Sequence, residues 1–359
     1  MINVRRSILI ITTLLIAIGV VIIYSASSIY AFEQYGDELY FLKRHLLYLL
    51  YGLILTTLVM SVDYHKFQKF SKPLFLFSVF LLILVLLPGI GREIAGAKRW
   101  LRLGIISLQP SVIAKIALVL YIADVLARKQ DKIKSFLHGF LPPMIVLAVY
   151  IVLVLRQPDL GTAVTFTMVA LIICFVGGVK VTHLLSTIFM IIPFAYFLVF
   201  TVPYRRSRII AFLNPWQDPK GAGYQIIQSL VAMGSGEFFG LGLGKSKQKL
   251  FYLPAAHTDF IFSILGEELG FIGTSLVIIL FGVLIWQATK IALKAKELFG
   301  QLLAVGIISC IGLEAIINIG VSISFLPTKG LPLPFISYGG SALIFNMVAI
   351  GLLLNIGKD

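Results

Sequence analysis

Ten apolar runs, most of them about as long as a lipid bilayer is thick, dominate the sequence. A helix needs about 20 apolar residues to cross the hydrocarbon core of a membrane. Within that core only helices and closed barrels can satisfy their own backbone polar groups. The runs are Ser7–Ile29, Leu42–Val62, Leu74–Leu87, Pro110–Ala127, Phe140–Leu155, Thr162–Gly178, Val181–Val202, Phe260–Gln287, Leu302–Ser322 and Ser341–Ile356. They predict an all-α polytopic membrane protein with about ten transmembrane helices, forming one integral membrane domain over residues 1–359.

The charge content supports this prediction and excludes other classes. Only 13% of the residues are charged, against about 25% in soluble domains. The net charge is +14, but the basic residues are spread over the loops, which favours anionic lipids or a phosphorylated lipid over nucleic acid. Cys174 and Cys310 lie inside apolar runs and are expected to be buried. The five histidines do not cluster with acids or thiols, so no metal motif is predicted.

The distribution of Lys and Arg predicts the orientation. Placing the N-terminus in the cytoplasm puts most basic loops inside, as the positive-inside rule requires. An even number of spans then makes both termini cytoplasmic. Two outer segments break the rule, Arg92–Arg102 and the long loop of residues 203–258 between the seventh and eighth helices. Positive charge on the outer side indicates an anionic partner there.

Asp259 lies where this long basic loop meets the eighth apolar run, in the sequence His257-Thr258-Asp259-Phe260. One interpretation is structural: Thr258 caps the helix and Asp259 lies in its first turn, where the helix dipole favours an acid. The other is chemical, because an acid kept at a membrane boundary is costly unless it is paired or reactive. Glu267 and Glu268 follow on the same helix and could pair with a cation.

Further polar residues lie inside the apolar runs. Lys115 is expected to face the helix bundle, where Asp159, Glu314 or a ligand phosphate would be its partner. Asp159 could instead cap the sixth helix. Glu314 and Asn318 are four residues apart and share one helix face.

Two segments are predicted to have special backbone roles. Gly330–Ser341 is too rich in Gly and Pro for a helix, and irregular backbone at membrane depth must be buried or line a cavity. Tyr224–Met233 has its apolar residues on one face and is predicted to lie in the membrane interface. Gly240–Ser246 resembles a phosphate loop, but Phe239 stands where that motif needs glycine, so ATP binding is rejected. The glycines are expected to permit tight turns.

Several of these segments, taken together and in order, resemble the SEDS family (shape, elongation, division and sporulation) of bacterial cell-wall polymerases. They are Lys98-Arg99-Trp100, Gln157–Thr162, His257–Phe262, Gly266–Gly270 and Gly330–Ser341. Of the two main types of the family, FtsW and RodA, the segments Asn214–Pro219 and Gly242–Lys249 look more like FtsW.

The resemblance implies a peptidoglycan glycosyltransferase that polymerises lipid II at the outer face of the bacterial cytoplasmic membrane. It implies Asp259 as the general base of an inverting transfer with undecaprenyl pyrophosphate as leaving group. Candidate substrate-binding residues, for the diphosphate above all, are Arg99, Lys115, Asp159, Arg205, Arg206, Arg208, Lys245, Lys249, His257 and Ser337. Assistance by a divalent cation, Mg²⁺ or Mn²⁺, is left open.

The resemblance also implies partners and leaves alternatives. The expected partners are a class B penicillin-binding transpeptidase and other divisome proteins, with a role in cell division. The family usually has Glu at the positions of Ala255 and Val112, and an uncharged residue at that of Lys329. A lipid II flippase or transporter, suggested by Lys115 and Glu314 with broken helices, is an alternative function. A scaffold for the transpeptidase is another.

Overall fold

The computed structural model describes residues 1–94, 96–104 and 106–358, and helices make up most of them. The ten predicted apolar runs all fall on helices. These are α1 (Ile2–Tyr35), α2 (Tyr40–Ser61), α4 (Ser71–Leu84), α5 (Pro110–Arg128), α6 (Leu141–Arg156), α7 (Leu160–Val176), α8 (Val181–Phe200), α11 (Ile261–Lys294), α12 (Leu298–Ser322) and α13 (Gly340–Ile356). Within the described ranges seven helices are long and apolar enough to cross a membrane, and α4, α7 and α13 are shorter apolar helices. The predicted helical membrane fold is confirmed.

Three shorter α-helices complete the set of α-helices in the described residues: α3 (Tyr64–Lys69), α9 (Pro203–Leu213) and α10 (Tyr224–Ser235). The centre of the bundle is formed by α5 and α12, whose most apolar windows are 83% and 67% buried. Small residues allow this close approach. Gly306 of α12, for example, lies so near Val119 of α5 that a Cβ there would meet its Cγ1 at 2.3 Å. By contrast, α8 is only 6% buried, and its aromatic surface is left to the surroundings.

A small antiparallel sheet corrects the all-α prediction. It comprises β1 (Gly91–Ile94), β2 (Ala97–Leu103) and β3 (Ile106–Leu108), in the order β1-β2-β3. Leu101 of β2 is 4% exposed and packs in a cluster with Leu81, Val85 and Ile113, which anchors the sheet on α4 and α5. The predicted outer loop Arg92–Arg102 is therefore largely strand. The sequence did not predict these strands because they are short and their four basic residues interrupt the alternation of apolar and polar residues by which strands are recognised.

The apolar face of α10, predicted to lie in the membrane interface, packs against protein. Its Ile226 and Ile227 are buried, and Ser229 bonds to the Ser263 hydroxyl at 2.6 Å and donates to the Ser322 carbonyl at 2.7 Å. The apolar face of α10 is thus covered by α11 and α12. An amphipathic pattern alone does not tell a lipid surface from a protein surface.

Helix α11 is interrupted at Gly270, whose φ of 63° and ψ of −160° lie outside helical values. The glycine loop, residues 237–242, supplies the missing backbone partners. Leu241 N–H donates to Glu267 O, and Phe271 N–H donates to Glu237 O, at 3.0 and 2.9 Å. A Cβ on Gly240 would lie 2.2 Å from the Glu268 carbonyl oxygen, so the close approach requires glycine. The residues between Phe260 and Gly270 consequently form a short helix of their own.

Candidate functional site

Asp259 lies in a tight turn just before α11. Thr258 and Asp259 both donate their N–H to the carbonyl of Ala255 at 3.1 Å, and Ala255 has a left-handed φ of 56°. The helix begins at Ile261 with Phe260 as its N-cap and no side-chain cap. The predicted cap is therefore wrong: the Thr258 hydroxyl donates to Ala255 O instead. The Asp259 carboxylate makes no hydrogen bond to any residue that the structure describes.

Hydrogen bonds from α12 and from Ser337 and Tyr338 hold the backbone around Asp259. Asn318 of α12 donates its amide to Asp259 O at 2.8 Å and to Leu331 O at 2.7 Å. The Ser337 hydroxyl donates to Thr258 O at 2.6 Å, and Tyr338 N–H donates to His257 O at 3.0 Å. Ser337, predicted to bind substrate, thus fixes the position of the turn. Asn318 is a site residue that sequence reasoning missed, although its pairing with Glu314 on a membrane helix was a usable signal.

The segment between α12 and α13 forms one wall of the site. Its backbone is irregular between 323 and 339, and Leu333, Phe335 and Ile336 are buried, as predicted for Gly330–Ser341. Gly330 lies against the Asp259 carboxylate, because a Cβ there would be 2.7 Å from Oδ2. The wall therefore approaches the acid with backbone only.

The electrostatic environment of Asp259 has opposing contributions. Burial raises the pKa of its carboxyl to about 6, the positive charges of Arg208 and Arg99 oppose this rise, and the Asp159 carboxylate adds to it. A carboxyl with a pKa near 6 is mostly ionised at neutral pH and still accepts a proton readily. These values suit a general base.

Arg99 and Asp159 are brought to Asp259 by different elements. Asp159 is the N-cap of α7 and accepts from Thr162 N–H at 3.1 Å, which confirms the predicted cap. Arg99 of β2 donates to Gln157 O at 3.0 Å and to Pro158 O at 2.6 Å, and its Nη1 lies 3.9 Å from Asp159 Oδ2. The sheet that the sequence did not predict is thus what positions Arg99.

Arg208 reaches the same place from α9. It donates to Thr328 O at 3.1 Å, and its guanidinium stacks on Tyr204 at 4.5 Å from the ring centroid. The neighbouring Arg205 donates to Leu198 O, and Arg206 is exposed. Of the three arginines of α9, Arg208 is the one whose charge acts on Asp259.

A cavity of about 50 Å³ adjoins this group, lined among others by Lys115, Asp159, Thr162, Glu314 and Gly330. Lys115 forms a buried ion pair with Glu314, and its Nζ is 3.4 Å from Asn346 Oδ1. The sequence left Asp159, Glu314 and a ligand phosphate open as partners of Lys115, and in the structure its partner is Glu314. Asp159 is engaged by Thr162 and Arg99 instead.

Two predicted lysines are placed differently from Arg99 and Arg208. The side chain of Lys249 is 4% exposed and donates to Glu268 at 2.9 Å and to Ser25 at 3.0 Å. Its ammonium is engaged in a buried ion pair with Glu268, so Lys249 is not assigned to the diphosphate below. Lys245, in the glycine-rich segment Gly240–Lys249, is exposed.

His257 packs in an aromatic cluster. Its ring lies 4.6 Å from that of Phe41, 5.6 Å from that of Tyr30 and 5.8 Å from that of Tyr338, measured between centroids. Burial lowers its pKa to about 4. The imidazole is neutral at pH 7 and contributes packing and a backbone carbonyl, with no positive charge for a phosphate.

The described residues do not form a preassembled cage for a divalent cation. Within the described ranges no three His, Cys, Asp or Glu side chains converge where they could hold a metal ion. Asp159 and Glu314 are each paired with a cationic side chain, whereas Asp259 has no ion pair in the described ranges. Mg²⁺ is usually held by one or two carboxylates together with water and substrate phosphates, so Asp259 is the residue that would contact a cation arriving with a diphosphate.

Comparison with known proteins gives consistent matches over the whole chain. The cell cycle protein family FtsW/RodA/SpoVE matches residues 5–359. A probable peptidoglycan glycosyltransferase FtsW of Geobacter sp. (strain M18) is 49% identical over 97% of this chain and 95% of its own length. Stage V sporulation protein E of Bacillus subtilis (strain 168) is 44% identical over 97% of this chain and 95% of its own length.

Solved structures match the fold. A chain from a study of the structural coordination of polymerization and crosslinking by a peptidoglycan synthase complex superposes with a TM-score of 0.80 at 29% identity. The rod shape determining protein RodA of Thermus thermophilus superposes with a TM-score of 0.73 at 28% identity. Both matches cover 98% of this chain and 96% of the other.

Proposed function

Because the chain belongs to the FtsW/RodA/SpoVE family of cell cycle proteins, we propose that it is a peptidoglycan glycosyltransferase that polymerises lipid II. The observation that carries this proposal is Asp259. It is a half-buried carboxylate with no hydrogen-bond partner in the described part of the chain and a pKa raised to about 6, close to two arginines. Relatives of the chain that are named glycosyltransferases support the proposed class of reaction.

The first step assigned to Asp259 is proton removal. The acceptor sugar hydroxyl must lose a proton as its oxygen attacks the anomeric carbon of the donor chain. Asp259 accepts that proton as general base, which in enzymes contributes about 10²–10⁴-fold in rate. An α-linked donor then gives a β-linked product by single displacement, so no covalent nucleophile is required.

The second step is departure of undecaprenyl pyrophosphate. Negative charge develops on the diphosphate as the glycosidic bond breaks, and fixed cations stabilise it. Arg99 and Arg208 are the residues proposed for this, since both act electrostatically on Asp259 and both present guanidinium groups suited to phosphate. Arg205, Arg206 and Lys245 are assigned the weaker role of attracting the anionic donor from the rim.

The orientation and partner follow from the same proposal. With both termini in the cytoplasm, the sheet and residues 203–258 lie outside, which puts Asp259 at the outer leaflet of the bacterial cytoplasmic membrane. We propose a class B penicillin-binding transpeptidase and other divisome proteins as partners, acting in cell division. The match to a chain from a peptidoglycan synthase complex supports a partner of this kind.

The test is polymerisation of lipid II by the purified, reconstituted protein. Asp259→Asn keeps the shape and removes the base, so glycan synthesis should fall by at least about 10²-fold while the thermal unfolding transition stays in place. Retained activity would remove Asp259 from the role of base. Flipping of fluorescent lipid II by the same liposomes without polymer would favour the flippase, for which the buried Lys115–Glu314 pair beside a cavity is the supporting observation.

A further inference from the structure

Lys329 is a cation beside the site with no role so far. Its side chain crosses the first turn of α7, where a Cβ on Gly161 would lie 2.7 Å from its Cε and 3.2 Å from its Cδ. The absence of a side chain at Gly161 leaves the room that the lysine occupies. Across residues 1–94, 96–104 and 106–358, the ammonium of Lys329 has no hydrogen bond and no ion pair within 4 Å, although the Asp159 carboxylate attracts it.

The two residues next to Lys329 in the chain, Thr328 and Gly330, contact Arg208 and Asp259. Thr328 accepts from Arg208 through its carbonyl, and Gly330 lies against the Asp259 carboxylate. Of the charged groups, Asp159 at the start of α7 acts on Lys329, while Arg99 on β2, Arg208 on α9 and Asp159 all act on the neighbouring Asp259. The two carboxylates Asp159 and Asp259 are thus accompanied by three cations, Arg99, Arg208 and Lys329, which is an excess of positive charge.

The position is an unfavourable one for an unpaired ammonium. The first turn of a helix carries partial positive charge and repels a cation. Partial burial also costs a charged group its hydration, and here burial lowers the pKa of Lys329 to about 8, with Asp159 opposing. An anion bound at the mouth would remove both penalties.

We propose that Lys329 is a third cation of the diphosphate site, donating its ammonium to a phosphate of the polyprenyl diphosphate donor. The inference rests on the proposed function for the identity of the donor. The diphosphate would be held between Lys329 over α7, Arg99 from the sheet and Arg208 from α9. Lys329 is a binding residue in this arrangement, and proton transfer remains with Asp259.

The first test separates the site from the reaction. Binding of inorganic pyrophosphate to the purified protein is measured by calorimetry for wild type, Lys329→Met, Lys329→Arg and the exposed control Lys220→Met. Loss of one charge-assisted hydrogen bond should weaken binding by roughly tenfold or more in Lys329→Met. Lys329→Arg and Lys220→Met should remain within about threefold of wild type. Unchanged binding in Lys329→Met overturns the inference.

The second test uses turnover of lipid II. Lys329→Met should raise KM with a much smaller change in kcat, since the contact is made to bound donor and to transition state alike. A variant with a lowered Tm and an unchanged KM would show a merely structural role for Lys329 and overturn the inference. If wild type binds pyrophosphate through Lys329 but makes no glycan, the proposed function fails and the anion site stands.

The pH dependence of pyrophosphate affinity gives an independent check. A lysine binds the anion when protonated, so the advantage of wild type over Lys329→Met should shrink as pH rises through 8. Lys329→Arg, which stays charged, should retain its affinity relative to wild type or exceed it above pH 8. A ratio of wild type to Lys329→Met that is constant from pH 6.5 to 9.5 would contradict the assignment.

Discussion

At the scale of single residues, the site depends on one carboxylate whose surroundings pull its pKa in two directions. Burial favours the neutral form of Asp259, and Arg208 and Arg99 favour the ionised form. The result is a base that is ionised at neutral pH and still basic enough to take a proton. Asn318 and Ser337 contribute by fixing the backbone on which this carboxylate stands.

The pH profile should report the ionisation of Asp259. The base works when deprotonated, so kcat/KM for lipid II should be level between about pH 7 and 8 and fall roughly tenfold per pH unit below 6. Arg208→Gln removes a charge that favours ionisation, and its acid limb should therefore move to higher pH. Initial rates between pH 4.5 and 8.5 measure this. An acid limb centred below pH 5 in wild type, or unmoved in Arg208→Gln, would contradict the assignment.

A methyl group at position 330 should disturb the carboxylate without disturbing the fold. In Gly330→Ala the new Cβ would meet Asp259 Oδ2 at 2.7 Å, so the carboxylate must turn aside. We expect polymerisation to drop by about tenfold or more, because catalysis is sensitive to small displacements of a reacting group. Gly282→Ala is the control, since a Cβ there meets nothing within 4 Å. Equal activities of the two variants would refute the close approach.

At the scale of elements, the helices could be predicted from the sequence and the pieces between them could not. Apolar runs predict helices because the bilayer leaves the backbone few other solutions. No such constraint acts on β2, where Arg99 lies on a short basic strand, or on α10, whose apolar face fits lipid and protein equally. Asp259 and Asp159 were found as acids at helix starts, but the partner of Lys115 depended on which helices pack together.

The ion pair of Lys249 and Glu268 ties the glycine-rich segment to α11 and, through Ser25, to α1. Lys249→Met leaves Glu268 buried without its partner, which should cost about 3–5 kcal/mol of stability. The double variant Lys249→Met/Glu268→Leu should recover much of this loss. Thermal unfolding in detergent measures it, with the exposed Lys247→Met as control. A Lys249→Met protein of normal stability and poor donor affinity would return Lys249 to the diphosphate site.

At the scale of the whole molecule, part of the net charge of +14 lies in the two basic segments that are predicted to be outside, Arg92–Arg102 and residues 203–258. Arg99 comes from the sheet, Arg208 from α9 and Lys329 from the last loop, so three distant parts of the chain supply the cations proposed for one anion site. Such a site attracts its ligand over distances set by ionic strength. The chain therefore concentrates positive charge where the proposed substrate carries its negative charge.

Salt should accordingly weaken the binding of the lipid II donor more than it slows the chemical step. Raising ionic strength from 0.1 to 1 M shortens the Debye length from about 10 Å to about 3 Å. We expect KM for lipid II to rise severalfold, with kcat changed less because Asp259 is half-buried. Steady-state rates in detergent of constant composition measure this, and Arg206→Gln should flatten the response. A KM independent of salt would argue against long-range attraction by the outer segments.

The interruption of α11 at Gly270 has a mechanical consequence. Residues 261–269 are hydrogen-bonded to the glycine loop and to α10, and Phe271 and Ile272, the first residues beyond the break, are hydrogen-bonded to the same loop. The helix from residue 273 onwards continues as a separate rod. Lipids of different thickness bend or tilt long helices, and we expect the loop and the break together to limit how far such a deformation reaches the carboxylate.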